Sequence, residues 1–425
     1  MMNINIPETI SNQILKLVSK ISNKNLLRII ELLEKFGSAE YHKKGAAAIK
    51  KMIEDDHQGI QATRRILQNL NPKARAGLLN NFMLGNLLLG YRKRLEFWNE
   101  HQVPPPGTLM ISPTLKCNLR CFGCYAATHE HKNELTREEV ENLIVEAGKT
   151  GTNYITLLGG EPFTVPWLID VMEKFNKTAF QVFTNGLLLD DEKIAKLATL
   201  GNVALFIGID GLEKETDARK GKGAYKGALK AIKKLSDAGL PVGYSTMVSS
   251  RNIDEIYSDE FMDTMIAHGA GFGWAAVAIP QGKACKETQL IPSAEQKARI
   301  KDLVRNVRRN KPIILIDFYS DGYLTEGCGA GRTTIHVNAN GDVEPCVLFP
   351  FAVDNIRDKS YTEIIKSDFF KGLRKVHKRY PGEMQTCMMV FKPKDVIEVL
   401  QEVGAKETSK GTLEQLHAMA KEQEN

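Results

Sequence analysis

The sequence contains no apolar run approaching the ~20 residues that a membrane-spanning helix needs. Its opening residues, Met1 to Glu8, lack the basic and long apolar regions of a secretion signal. No Lys/Arg cluster is interleaved with aromatics, and the net charge of +6 over 425 residues is modest. That gives nucleic acid no footing, while leaving room for an acidic partner or an anionic lipid surface. Cysteine is scarce and odd in number: seven residues, three of them in one short motif. This is not a disulfide framework; it points to metal chemistry in a reducing compartment. Internal repeats and low-complexity stretches are also missing. The expectation is a cytoplasmic protein, with peripheral membrane contact left open. What is present is ordinary for a globular chain, with 43% hydrophobic and 25% charged residues. The length implies two or three domains, or one barrel with additions.

Residues 1–100 read as helices. Ile10, Ile14, Leu15, Leu17 and Val18 form one apolar stripe, and Leu26, Leu27, Ile29, Ile30, Leu32 and Leu33 form another, stopped by Gly37. Asn71-Pro72 opens a longer helix with Pro in its first turn. Leu78, Leu79, Phe82, Met83, Leu84, Leu87, Leu88 and Leu89 then run almost all round it, followed by Arg92-Lys93-Arg94. A helix apolar on every side is normally buried; the basic flank offers a second reading, a lipid-facing surface.

Val103-Pro104-Pro105-Pro106-Gly107 is a stiff linker. Beyond it, strand and helix patterns alternate. Strands are expected at 108–112, 154–158, 180–184, 203–209, 242–248 and 271–279, with helices between them. The first of these helices opens with a Thr136/Glu139 capping box, and another covers 253–268. Such βα units imply a parallel sheet or a partial barrel. Glycine and polar signals gather at the C-terminal ends of the strands, where a barrel carries its active site. Further on come a helix to Asn310, a strand near 313–318, a hairpin turning at Asn340-Gly341 and an exposed helix over 412–421.

Cys117, Cys121 and Cys124 are spaced C-x3-C-x2-C. Thiolates are soft ligands that suit zinc or iron–sulfur clusters. A closed zinc site wants four protein ligands; no fourth Cys is near, although His129 and His131 are. Three strand ends carry further signals: Gly159-Gly160-Glu161-Pro162, Thr184-Asn185-Gly186 and Gly208-Ile209-Asp210-Gly211. Glycines let backbone approach a ligand closely, and a carboxylate can hold an ammonium through a charge-assisted hydrogen bond.

The Cys triad together with these strand ends resembles the radical S-adenosylmethionine (SAM) superfamily, over about residues 108–390. The resemblance implies that the triad holds three irons of a 4Fe–4S cluster and that SAM chelates the fourth. It implies that Gly159–Pro162 fixes the methionine end of SAM. Asn185, Asp210 and Ser245, at the ends of strands three to five, become candidates for ribose and carboxylate contacts. The implied activity is reductive cleavage of SAM, with an electron from a donor such as flavodoxin or ferredoxin, and removal of hydrogen from an unactivated C–H. Two positions depart from the pattern. Gly123 stands where many members carry an aromatic, leaving Phe122 or Tyr125 to cover the adenine. Gly208 stands where Ser is usual, so one hydroxyl contact to SAM is absent.

Residues 328–387 resemble the SPASM/twitch extension of that superfamily, which binds auxiliary iron–sulfur clusters. Cys328, Cys346 and Cys387 are the ligands this implies, for an auxiliary 4Fe–4S cluster with one iron not bound by Cys. Cys285, alone after the sixth strand, could supply a fourth ligand, although a lone Cys is more often a small buried residue.

The expected architecture is α/β. A partial (β/α)6 TIM-like barrel spans 104–290, with an N-terminal helical domain at 1–103, a SPASM/twitch-like extension at 291–404 and a polar tail at 405–425. For substrate, the apolar helix at 78–89 with its basic flank points to a lipid or other apolar molecule. One alternative is a ribosomal peptide maturase of the SPASM type, against which the first hundred residues show no clear β-wing. The other is a non-enzymatic, metal-stabilised interaction protein.

Overall fold

The computed structural model describes residues 7–36, 40–322, 327–380 and 387–423. The stretch 1–6 and the expected helix stop at Gly37 lie outside the described residues. The central sheet contains β1 (Thr108–Ile111), β2 (Tyr154–Leu157), β3 (Ala179–Thr184), β4 (Val203–Gly208), β5 (Val242–Val248), β6 (Phe272–Val277) and β7 (Ile314–Asp317). These run parallel, each beside the next, as helical crossovers require. The chain then returns to the other edge. β8 (Thr334–Val337) lies parallel to β1, and β9 (Val343–Glu344) turns back on β8 through Asn340-Gly341, with Gly341 at φ 85°. The sheet order is β7-β6-β5-β4-β3-β2-β1-β8-β9, so β7 and β9 end the strand order of a partial barrel that does not close on itself.

Period-two alternation divides each strand between two faces. Leu109, Ile111, Ile155, Leu157, Phe180, Val182, Leu205 and Ile207 are buried beneath the helices, against Val140, Leu143, Ile144 and Leu197. Residues of the other parity face the concave side. There Phe183 packs on Phe206 and Trp274 at centroid distances of 5.3 and 5.4 Å, and Trp274 on Phe318 at 5.0 Å. The Thr136/Glu139 capping box forms as expected. The helix expected over 253–268 is split into Ile253–Ile256 and Asp259–Ala267, because Ser258 leaves helical geometry to cap the second piece.

The N-terminal helices plug one end of this barrel. Asn71 donates to the carbonyls of Ala198 and Ala238, Arg65 to Ala270 and Pro312, Arg94 to Gly151, and Asn81 to Asn176. Most of these carbonyls lie just before β2, β4, β5, β6 or β7, at the N-terminal ends of the strands. The apolar stretch is a π-helix, Leu78–Gly90. Cβ atoms at Gly85 and Gly90 would lie only 3.0 and 3.1 Å from the carbonyl oxygens five residues back, so glycine suits this wider turn. The helix that suggested a lipid surface therefore sits at the end of the barrel opposite the strand C-termini. No described helix is long and apolar enough to cross a membrane.

The chain's last segment also differs from expectation. Lys406–Glu407 pairs with Phe351–Ala352, and the helix Thr412–Glu422, expected to be exposed, buries Leu416 and Met419. Its apolar spacing supplies a docking face that polar composition alone concealed.

The docking of the plug depends on bare backbone. A Cβ at Gly77 would lie 1.7 Å from the carbonyl oxygen of Gly201, an atom that cannot swing aside. Gly77→Ala should therefore cost about 1–3 kcal/mol, read as a lowered urea midpoint. Gly107→Ala, whose Cβ would meet nothing nearer than 3.9 Å, should leave the midpoint unchanged.

Candidate active site

The chain leaving β1 runs through Ser112–Lys116 into Cys117 and is shaped by the turn after β2. Gly160 N–H donates to the Thr114 carbonyl at 2.9 Å and Glu161 N–H to the Lys116 carbonyl at 2.7 Å. A Cβ at Gly160 would lie 2.2 Å from that Lys116 oxygen, so only glycine permits the two backbones to touch. Glu161 is 1% exposed. Its Oε1 accepts from the Thr184 hydroxyl at 2.7 Å and the Phe163 N–H at 3.1 Å, and its Oε2 from the Asn185 N–H at 2.8 Å. Burial pushes its pKa up, and these bonds oppose the shift. The resemblance places this carboxylate at the methionine end of SAM; here its oxygens are met by three protein donors. Pro162, also buried, opens the short turn Pro162–Thr164.

Asn185 carries the link onward, donating to Asn118 Oδ1 at 2.7 Å and lying 4.0 Å from Cys117 Sγ. Cys117 is exposed, Cys121 and Cys124 half-buried. Cys117 Sγ also accepts from the Leu119 N–H at 3.4 Å. Burial pushes this thiol up against that bond, and the charges of Glu161, Cys121 and Cys124 add to the rise. Among the described residues, no three His, Cys, Asp or Glu side chains close on one point as a single metal ion demands. Tyr125, a candidate to cover the adenine, instead sends its hydroxyl to the Gly159 carbonyl at 3.3 Å. At Gly123, φ 65°, a Cβ would lie 2.5 Å from Leu290 Cδ1, so a leucine from the loop after β6 fills the space a side chain there would need.

Asp210 is 2% exposed. Its Oδ1 accepts from the Met247 N–H at 2.9 Å; its Oδ2 takes Arg219 at 2.6 Å and Lys220 at 3.3 Å. Against the upward push of burial, those two cations hold its pKa at about 2. Asp210 thus bears on the site through Arg219 and Lys220. Both end the helix Glu213–Lys220, which sequence patterning did not single out, and the Arg219 carbonyl accepts the Phe122 N–H of the Cys loop at 2.8 Å. The one available signal was two adjacent cations closing a short helix after the Asp210-Gly211 turn. Ser245 pairs with Gly208 across β4 and β5, on the concave face.

The extension places its three cysteines near enough to feel one another's charge, although their side chains do not close on one point. Burial pushes Cys328, Cys346 and Cys387 up, Cys346 to about 12, and Cys387 feels the charge of both others. The Cys346 sulfur accepts the Leu348 backbone N–H at 3.5 Å. Such a donor suits a bound thiolate. Cys285 sits apart, in the turn Gly282–Cys285 packed beside Tyr125–Thr128.

A buried network that sequence reasoning missed ties extension to barrel. Ser112 Oγ lies 2.7 Å from His336 Nε2, and His336 Nδ1 lies 2.6 Å from Glu344 Oε2. Glu344 Oε1 accepts from Asn338 at 2.8 Å and Thr408 at 2.5 Å, with His129 Nε2 at 3.8 Å. Despite full burial, His336 and His129 hold the Glu344 pKa at about 2. The network joins β1, β8, β9 and the C-terminal segment.

Three thiols on the loop after the first strand of a parallel partial barrel, braced by a glycine-rich turn, with three more in the extension, are soft ligands of the kind that hold iron–sulfur clusters. The donor chemistry fits: the thiols are soft ligands, and Cys117 and Cys346 each accept a backbone N–H. Residues 111–263 match the radical SAM superfamily, and residues 328–388 match the SPASM iron–sulfur cluster-binding domain. The chain belongs to the radical SAM superfamily and carries a SPASM extension; its cofactors are a 4Fe–4S cluster, SAM and the auxiliary cluster chemistry of that extension. It is 28% identical over 267 residues to the sporulation killing factor maturation protein SkfB of Bacillus subtilis (strain 168), covering 60% of this chain and 65% of that one, just under two thirds of its length. Identity is 29% over 290 residues with the AdoMet-dependent heme synthase of Methanosarcina barkeri (strain Fusaro / DSM 804), covering 61% of this chain and 82% of that one. It is 29% over 284 residues with the mycofactocin maturase MftC of Mycolicibacterium smegmatis (strain ATCC 700084 / mc(2)155), covering 63% and 70%. The crystal structure of Streptococcus suis SuiB bound to S-adenosylmethionine shares the fold, with a TM-score of 0.58 at 18% identity over 81% of this chain and 84% of that one.

Two outcomes are expected. Glu344→Ala leaves His336, Asn338 and Thr408 without their acceptor and should destabilise the protein by about 3–5 kcal/mol, measured by urea unfolding of the cluster-free chain. In a variant with Cys117, Cys121 and Cys124 all changed to Ala, anaerobic reconstitution should leave about four irons per chain, lost when Cys346→Ala is added.

Proposed function

We propose that this enzyme matures a ribosomally made peptide, taking hydrogen from an unactivated C–H. The observation that carries the reading is the similarity to SkfB and MftC, which runs through more than half of this chain. The sheet is compatible with it: among the described strands β7 and β9 are not joined, so the barrel wall is not continuous. The helical plug at 78–90, which favoured a lipid, lies at the far end of the barrel and lends that substrate no support.

When bound and reduced, the cluster and SAM supply the radical that removes the hydrogen. In this reading Cys117, Cys121 and Cys124 hold the first cluster, and Cys328, Cys346 and Cys387 the auxiliary one. Gly159, Gly160, Glu161 and Pro162 shape the pocket wall against the Cys loop, and Glu161 sets the spacing between the ends of β2 and β3. Asn185 steadies Asn118 beside Cys117. Asp210 aims Arg219 and Lys220, and Ser245 with Tyr125 completes the rim. Phe183, Phe206, Trp274 and Phe318 give the interior an apolar floor that keeps water from a reactive intermediate. A flavodoxin or ferredoxin supplies the electron.

The test uses synthetic peptides copied from small reading frames beside the gene. With the reconstituted, dithionite-reduced protein, one of them should stimulate release of 5′-deoxyadenosine and leave the reaction with hydrogen mass lost. Unchanged peptides, alongside turnover of an isoprenoid lipid or a tetrapyrrole, would overturn the reading.

A further inference from the structure

The first helix, Glu8–Lys20, buries serines and exposes isoleucine and leucine. Ser11, Leu15 and Ser19 face the body of the protein and are 0%, 6% and 2% exposed. Ile10, Ile14 and Leu17 are 47%, 40% and 64% exposed. Steps of four and three residues set those three on one stripe. A helix that merely covered a globular surface would turn its isoleucines inward and leave its serines in water. This helix is held the other way by polar ties along its inner side. The Ser11 hydroxyl accepts from Asn80 Nδ2 at 3.1 Å, Asn12 Oδ1 from Arg75 Nε at 2.5 Å, and the Ser19 carbonyl from Gln68 Nε2 at 3.2 Å. Leu15 packs between them on Leu67 and Leu79.

Charge says what the stripe fits. From Thr9 to Ile30 the chain carries Lys16, Lys20, Lys24 and Arg28 and no Asp or Glu. All four cations are exposed. Lys16 and Lys20 stand beside the stripe, about 80–120° round the helix, and Glu8 lies on its far side. Long basic side chains so placed reach anionic headgroups while the aliphatic stripe sinks between them. The asymmetry extends to the whole helical region. Residues 1–100 hold sixteen Lys and Arg against nine Asp and Glu, whereas the other 325 hold forty-one against forty-two. Two copies of this face would bring like charges together, and a protein partner is usually registered by paired signs. A fluid anionic surface needs neither.

We propose that the Ile10, Ile14 and Leu17 stripe, with Lys16, Lys20, Lys24 and Arg28, seats the protein on an anionic lipid bilayer, the helix lying in the plane of the surface. The helix packs on the helices that close the far end of the barrel, so the strand ends that carry the thiols stay open. The site is one of attachment, and it holds whatever substrate enters the barrel.

The experiment floats the reconstituted full chain with two kinds of vesicle, one of phosphatidylcholine and phosphatidylglycerol in equal parts, the other of phosphatidylcholine alone. Binding to the anionic vesicles should be tighter by about tenfold or more and should weaken as salt rises. Ile14→Ser/Leu17→Ser changes only exposed side chains, so it should fold and keep its irons, yet lose about ten- to a hundredfold in affinity for anionic vesicles. Lys16→Gln/Lys20→Gln should lose about tenfold on anionic vesicles and nothing on neutral ones. Leu17→Trp should add fluorescence that brominated lipid quenches, above the signal of the three native tryptophans. Wild-type protein that fails to float with anionic vesicles at low salt would overturn the proposal. So would equal affinity for the two vesicle types, or unchanged binding by Ile14→Ser/Leu17→Ser. A wild-type dimer that Leu17→Ser splits into monomers would assign the stripe to a second copy of the chain and overturn it as well.

Discussion

The site depends on one buried carboxylate. An unpaired charge at the 1% exposure of Glu161 would be prohibitive. Here each oxygen meets a donor, and the donors come from different places: Phe163 in its own turn, Thr184 and Asn185 at the end of β3. The Glu161 N–H is bonded to the stretch leading from β1 into the Cys loop. Three consecutive strand ends thus become one unit, and Asn185 extends it to Asn118, next to Cys117. Because the bonds are charge-assisted and shielded from water, their geometry is stiff. The loop carrying the thiols inherits that stiffness.

Much of this was legible in the sequence, but its physics was only partly so. The alternation of strand and helix gave the parallel sheet, and the Cys spacing with the strand-end motifs gave the family. The chemistry of individual residues was harder. Gly159 and Gly160 were recognised as allowing close approach to a ligand; what they approach in the fold is the backbone at Ser112–Lys116. Asp210 was a candidate for direct contact, yet two cations and a backbone N–H occupy its oxygens. A motif tells which residue types meet at a strand end. It does not say which donors reach them first, because those come from distant parts of the chain.

The two ends of the chain show the same limit. Leu78–Gly90 reads as apolar on all sides, which is compatible with burial or with lipid, and only topology decides between them. Gly77 against Gly201, Arg94 on Gly151 and Asn71 on Ala198 and Ala238 place the helices under the barrel. At the other end, Ser112, His336 and Glu344 look unremarkable in sequence, being separated by up to 232 positions. They meet because β8 adds to the sheet beside β1, a parallel pairing that no local pattern announces. That pairing puts the SPASM segment against the strand that delivers the first Cys loop, so the two thiol sets share a frame.

The departures at Gly123 and Gly208 follow from the same geometry. In a barrel the C-terminal ends of all strands converge, so the volume beside one strand end can be reached from several loops. A motif position therefore specifies a filled volume more strictly than it specifies the residue that fills it. Gly123 yields its volume to Leu290 from the loop after β6, and Gly208 yields to Lys220 from the helix after β4. The substitutes are not equivalent to what they replace. An aliphatic group offers dispersion but no aromatic face for stacking, and an ammonium offers charge where a hydroxyl offers a neutral hydrogen bond. The closing turn at Gly221, with the tie from Arg219 to Phe122, fixes the end of the helix that carries Lys220, so this volume is filled from a braced backbone.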